Sequence, residues 1–177
     1  MSLSFPLRTE RLELRPFTEQ DVPAAAAVYG DAEVMQHVGG GGAVGADEVA
    51  AMVAAYIAHQ HEHDLAFWAV IDRADGAMIG DAGFELTEHG LELGYTLRRD
   101  RWGRGLATEA ARACLEAAQQ LGHREVVALV DAANPASAHV LEKLGFTEGG
   151  EGTADGGSIG TVTSYGRPHR LFRLTLR

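Results

Sequence analysis

At 177 residues, with 46% hydrophobic and 23% charged side chains, the chain is long enough for one domain, residues 1–177, built on a full hydrophobic core. A formal net charge of −10 argues against nucleic acid, whose affinity comes from clustered Lys and Arg; it suits a cationic ligand such as an amine, and equally plain solubility. The single cysteine, Cys114, excludes an internal disulfide framework, and the absence of a membrane-length apolar run or a basic-then-apolar leader makes the cytoplasm the expected location.

In chain order, Met1-Ser2-Leu3 reads as a cloning remnant without function, and Leu7 to Phe17 as one extended opening strand with alternating Leu12 and Leu14. Thr18, with Asp21 three residues on, caps a short alanine-rich helix running to Tyr29. Gly39 to Gly42, with Gly45, form a loop. Asp47 and Glu48 then load the first turn of a helix whose apolar stripe is Val49, Met52, Val53, Tyr56 and Ile57. Phe67 to Ile71 and Ala77 to Leu86 read as strands joined by a turn at Ala74-Asp75-Gly76, and Leu91 to Leu97 as a third. A long helix starts near Leu106, buries Leu106, Ala110, Cys114, Ala118 and Leu121, and stops at Gly122. Glu125 to Val130 is a valine-rich strand buried on both sides. Asn134 caps a last helix with Pro135 at its first position, ending at Leu144-Gly145. Two terminal strands, around Phe146 and Arg170 to Leu176, flank a glycine-rich loop from Gly149 to Gly166.

The most informative stretch is Arg101-Trp102-Gly103-Arg104-Gly105-Leu106-Ala107-Thr108, between a strand and a helix. Glycines there free backbone N–H groups to turn toward one point, and the helix adds its own unpaired N–H groups and its positive dipole end. Such a place suits a phosphate or pyrophosphate. A tight turn without ligand is the plain alternative. A P-loop would need Lys-Ser/Thr where Leu106-Ala107 stands, and a dinucleotide fingerprint belongs near the start of a doubly wound fold.

One helix and one strand later comes Asn134-Pro135-Ala136-Ser137-Ala138-His139-Val140-Leu141-Glu142-Lys143-Leu144-Gly145-Phe146. The two motifs together resemble the GCN5-related N-acetyltransferase (GNAT) superfamily. They look most like its branch of ribosomal-protein alanine and serine N-terminal acetyltransferases. Leu7-Arg8-Thr9-Glu10-Arg11-Leu12-Glu13-Leu14-Arg15-Pro16 and Glu92-Leu93-Gly94-Tyr95 are also similar to that branch. The resemblance covers nearly the whole chain and is strongest from Leu91 to Phe146.

The resemblance implies an α/β fold with a mixed, mostly antiparallel central sheet flanked by helices and splayed at the acetyl-CoA site. It implies acetyl-CoA as co-substrate, with the diphosphate on the amides of Trp102, Gly103, Arg104, Gly105, Leu106, Ala107 and Thr108. Trp102 stands in place of the pattern's first residue, and Arg104, with Arg101 beside it, adds positive charge; Arg98 and Arg99 read as solvated. The pantetheine arm lies between Tyr95-Thr96-Leu97 and the strand at Val126 to Val130, with Asn134 reaching it and a backbone N–H near Leu97 serving the oxyanion. A primary amine must lose a proton to attack the thioester, since an ammonium has no lone pair. The helix tyrosine that many members use to protonate the thiolate is replaced by Leu141, so Ser137 is the candidate for that proton and Glu92 the candidate base. A capping role for Ser137 and a structural ion pair for Glu92 are the alternatives. The expected acceptor is a small amine or a protein N-terminus, with the loops at Gly39–Gly45 and Gly149–Gly166 on its side. The branch also suggests homodimers through terminal strands. A non-catalytic acyl-CoA sensor is the rival function, and transfer of a longer acyl group a second one.

No metal is expected. His59 and His63 share a helix face, yet no carboxylate completes a set, and a solvated helix end is the plainer reading. Cys114 reads as inert core and His139 as outward-facing, while Tyr56, Phe67 and Trp68 are core or cleft wall.

Overall fold

The computed structural model describes residues 2–149 and 161–177; Met1 and residues 150–160, the middle of the glycine-rich loop assigned to the acceptor side, lie outside the described residues. Among the described residues nine strands form one sheet flanked by helices, mostly antiparallel and with a single parallel pairing.

The opening segment is not one strand. It folds into a hairpin of β1 (Leu7–Arg8) and β2 (Leu12–Pro16), with Leu7 opposite Leu14 and Arg8 opposite Glu13. The expected box at Thr18 is present: the Asp21 carboxylate accepts the Thr18 N–H at 2.8 Å and is also held by Arg15. It starts a short 3-10 turn that leads into α1 (Val22–Tyr29). A four-residue helix, α2 (Ala32–Met35), follows, capped by the Asp31 side chain on the amides of Glu33 and Val34. α3 spans Ala46–His63 and buries Val49 and Val53.

β3 (Phe67–Asp72), β4 (Met78–Thr87) and β5 (Gly90–Leu97) form the expected meander, one residue longer or shifted at their ends. α4 (Leu106–Gln120) crosses to β6 (Glu125–Asp131), and α5 (Pro135–Lys143) leads back to the sheet. β7 (Thr147–Glu148) and β9 (Arg167–Thr175) match the expected terminal strands, but β8 (Thr161–Ser164) was not foreseen. It occupies the end of the segment read as a glycine-rich loop and pairs with β9.

Strand alternation divides the apolar residues between two faces. Trp68, Val70, Ile79, Ala82 and Phe84 pack under Ala110, Cys114 and Leu141 of α4 and α5. Ala69 and Met78 face Val28, Tyr29, Val49 and Val53 of α1 and α3. Trp68 and Cys114 are therefore core, and burial raises the Cys114 thiol pKa well above its ordinary value.

Candidate active site

The decisive backbone feature lies between β5 and β6. β4 and β5 stay in register from Gly80–Leu97 to Thr87–Gly90, whereas β5 and β6 pair only at Glu92–Val127. Beyond that point the strands part. The Arg98 amide donates back to Ile79 O across the β4 side at 2.8 Å. Ladder alternation then turns the main-chain groups of Tyr95 and Leu97 the other way, into the gap. An extended amide-bearing chain laid in the gap would meet unpaired strand backbone.

The loop after β5 stands at one end of this gap. Gly103 and Gly105 adopt φ of 71° and 75°, which only glycine takes without strain, and a Cβ on Gly103 would meet open space. Among the described residues, the amides from Gly103 to Thr108 have no protein acceptor; the first bond into α4 is Glu109 N–H to Gly105 O at 3.1 Å. Trp102 differs from expectation. Its amide is already bonded to Arg99 O at 3.2 Å, and its indole N–H donates to Leu97 O at 2.8 Å. It closes one strand carbonyl and leaves the free amides to its successors.

The arginines divide in a way the sequence did not reveal. Arg101 is spent on Asp72 at 2.6 Å and Asp75 at 2.7 Å. Arg98 pairs with Asp100, and Arg99 with Glu33 and Asp31, so both make surface ion pairs rather than standing solvated. The Arg104 side chain is exposed, while its carbonyl accepts from Arg11 Nη1 at 2.9 Å. Arg11 in turn meets Glu109, which also accepts from the Arg11 amide at 2.8 Å and from Thr9 Oγ1 at 2.6 Å. The β1–β2 hairpin thus braces the glycine loop through Glu109, a role missed in the sequence because the partners lie about a hundred positions apart.

Two cavities meet at the gap. One of 600 Å³ is bounded by the glycine loop, the start of α4, Tyr95-Thr96-Leu97, Asn134 and Ser137. The other, of 530 Å³, lies toward α1 and α3 and includes Glu92, Tyr56 and Phe67. Tyr95, Thr96, Asn134 and Ser137 border both. Of the sequence-picked cofactor residues only Arg104 is off the wall of the first cavity, and Leu106 is buried, so that its amide alone is available.

At the junction, Tyr95 Oη lies 2.9 Å from Ser137 Oγ and 3.1 Å from Ser137 O. Burial pushes the Tyr95 phenol up to about 12, so it stays protonated. Asn134 Oδ1 accepts the Ser137 amide at 3.2 Å, which fixes the first turn of α5. Glu92 makes no ion pair among the described residues. Desolvation raises its carboxyl above the ordinary range. His59 Nδ1 is tied to Leu65 O at 2.6 Å, closing the end of α3, and His139 faces solvent beside Glu142.

The region carrying both motifs and the gap falls within residues 11–147, which match a family model described as an acetyltransferase (GNAT) domain. The chain belongs to the GNAT acetyltransferase family. This GNAT acetyltransferase is similar to the uncharacterized N-acetyltransferase YoaA of Bacillus subtilis (strain 168), at 29% identity over 151 residues covering 82% of this chain and 85% of the relative. An acetyltransferase of Agrobacterium tumefaciens strain C58 is 27% identical with a TM-score of 0.77, covering 98% of this chain and 96% of that one. RimL, a ribosomal L7/L12 alpha-N-protein acetyltransferase solved in complex with coenzyme A, shares the fold at 19% identity, with a TM-score of 0.74 over 95% of this chain and 96% of its own. The GNAT fold expected from the motifs is thus the fold found. Among the described residues no helix is long and apolar enough to cross a membrane.

Proposed function

We propose that this acetyltransferase moves acetyl from acetyl-CoA directly to a primary amine in a ternary complex, as a single cytoplasmic domain spanning residues 1–177. The observation that carries the reading is the parting of β5 from β6 after Glu92–Val127, beside six amides that have no acceptor among the described residues. That arrangement fits the coenzyme: Gly103 to Thr108 hold the diphosphate, the main chain of Tyr95 pairs with the pantetheine amides, and Asn134 borders the arm. The bound thioester supplies an acetyl group on a thiol leaving group.

The remaining chemistry falls to this chain's side chains. Glu92, short of counter-charge and raised by desolvation, accepts a proton from the incoming ammonium. Ser137 Oγ gives a proton to the departing sulfur and draws on Tyr95 Oη at 2.9 Å. The Leu97 amide, turned toward the gap, serves the developing oxyanion. The name of the RimL neighbour supports a protein N-terminus as acceptor, and the 530 Å³ cavity supports a small amine. The test is thiol release from acetyl-CoA with a panel of amines and peptide N-termini, with products read by mass. Coenzyme binding without thiol release across the panel would favour a sensor instead.

A further inference from the structure

The 530 Å³ cavity holds charge that the roles of Glu92 and Ser137 leave unexplained. On one sheet face, β4 sets Asp81, Gly83 and Glu85 opposite Thr96, Gly94 and Glu92 of β5. Asp81, Glu85 and Glu92 all border the cavity, and among the described residues no Lys or Arg does. Like charges directly opposite, as at Glu85 and Glu92, are unfavourable in an antiparallel pair.

Asp81 is the unusual member. It is 3% exposed in the cavity wall. Its Oδ2 accepts the Tyr29 hydroxyl at 2.5 Å, while Oδ1 has no hydrogen-bond partner and the carboxyl no ion pair among the described residues. Burial pushes its pKa up to about 7 despite that hydrogen bond. An ionised carboxyl in this position is costly unless a cation meets it. Rings are at hand for such a cation: Tyr29 donates to Asp81, and Tyr56 stands with Phe67 at 5.2 Å between centroids. The floor between the carboxylates is the Phe67 ring, which packs on Gly94 so closely that a Cβ there would come within 2.8 Å of it.

We propose that the acceptor is a small aliphatic diamine, its distal ammonium seated between the Asp81 carboxyl and the rings of Tyr29 and Tyr56 while its reacting amine lies beside Glu92. This rests on the reading of the cavity as the acceptor side. Asp81 and Glu85 are four residues apart on one strand, about 13 Å between Cα atoms, and an alkyl chain with an ammonium at each end bridges the part of that span that the two side chains do not cover. Only an unbranched chain reaches a carboxyl so deeply covered, and an ammonium is slimmer than a guanidinium.

The test titrates the protein, saturated with coenzyme A, with 1,4-diaminobutane and with butylamine by calorimetry. The diamine is expected to bind at least about tenfold more tightly. Asp81→Asn should bring the ratio close to one, whereas Glu85→Gln, at an exposed position opposite Glu92 and so at the reacting-amine end, should weaken both amines alike and keep the ratio. Equal affinity for the two amines, or a preference that survives Asp81→Asn, overturns the proposal. Should Asp81→Asn not fold, the wild-type ratio and the Glu85→Gln protein still decide. Thiol release from acetyl-CoA is followed in parallel. Release with peptide N-termini and no diamine preference defeats this inference alone; tight diamine binding without release from any amine defeats the transferase reading alone.

Discussion

Tyr95 Oη on β5 stands 2.9 Å from Ser137 Oγ on the first turn of α5, spanning the gap where the sheet opens. The phenol brings to this point, from a strand, the hydroxyl that many relatives are expected to supply from the last helix, where this chain has Leu141. Leu141 is buried at 1% exposure and is part of the core.

If Ser137 passes a proton to the leaving sulfur and Tyr95 supports it, the two substitutions are unequal. Ser137→Ala should lower kcat by about 10²-fold with little change in coenzyme affinity, because the amides that hold the diphosphate are untouched. Tyr95→Phe should lower kcat less, since Ser137 remains. Steady-state kinetics with direct coenzyme binding separates the cases, and an unchanged kcat in Ser137→Ala would return that residue to a capping role.

For Glu92, the sign of the pH effect follows from its raised pKa. A base acts when deprotonated, so kcat/KM should rise with pH through a value above the ordinary glutamate range. Glu92→Gln should remove that acidic limb and lower kcat/KM at neutral pH by about 10²-fold or more. A pH–rate profile that keeps the same limb in the variant assigns it to another group.

The brace between the opening hairpin and the glycine loop gives a third prediction. Glu109 accepts from Thr9, from the Arg11 amide and from the Arg11 guanidinium, and Arg11 holds the Arg104 carbonyl. Glu109→Ala strands those donors and should cost about 1–3 kcal/mol in a urea melt. It should also weaken coenzyme binding more than Arg104→Ala, whose side chain is exposed. The reverse order of affinities would mean that the Arg104 charge, and not the loop shape, governs the diphosphate.

What the sequence made legible was local. Glycines at 103 and 105, the cap at Asn134-Pro135 and the stripe of α4 from Leu106 to Ala118 each act within a few residues and stand where the sequence places them, while Leu121, at the end of that stripe, caps the helix half-buried. What it hid was made by distant partners. The Leu7 to Phe17 stretch alternates like one strand, yet the bond from Thr9 N–H to Leu12 O and the Glu109 contacts fold it into a hairpin. α2 had a signal in Asp31, a capping residue two positions before Glu33, but its four residues show no periodicity. β8 is visible only through its pairing with β9. Asp81 looked like any acid in an apolar strand until Tyr29, from fifty positions earlier, covered it.

Asp81 carries a fourth prediction that needs no ligand. Its carboxyl is raised from 3.8 to about 7 in the folded protein, chiefly by desolvation. The folded state therefore binds the proton more tightly than the unfolded chain does. The stabilisation is complete below the unfolded pKa and is lost as pH rises through the folded one. Between about pH 5 and about pH 8 the wild type should lose about 2–3 kcal/mol from this group, at about 1.4 kcal/mol per unit over the roughly two units in which only the folded carboxyl stays protonated. Depressed carboxyls such as Asp21 and Glu109 act in the opposite direction, losing their contribution only as pH falls through the acidic range, and so leave this window clear. Asp81→Asn keeps an acceptor for the Tyr29 hydroxyl and carries no charge, so its stability should be flatter across the same interval. Urea midpoints of both proteins at the two pH values give the comparison, and parallel pH dependences would mean that Asp81 is ionised throughout and already has a counter-charge.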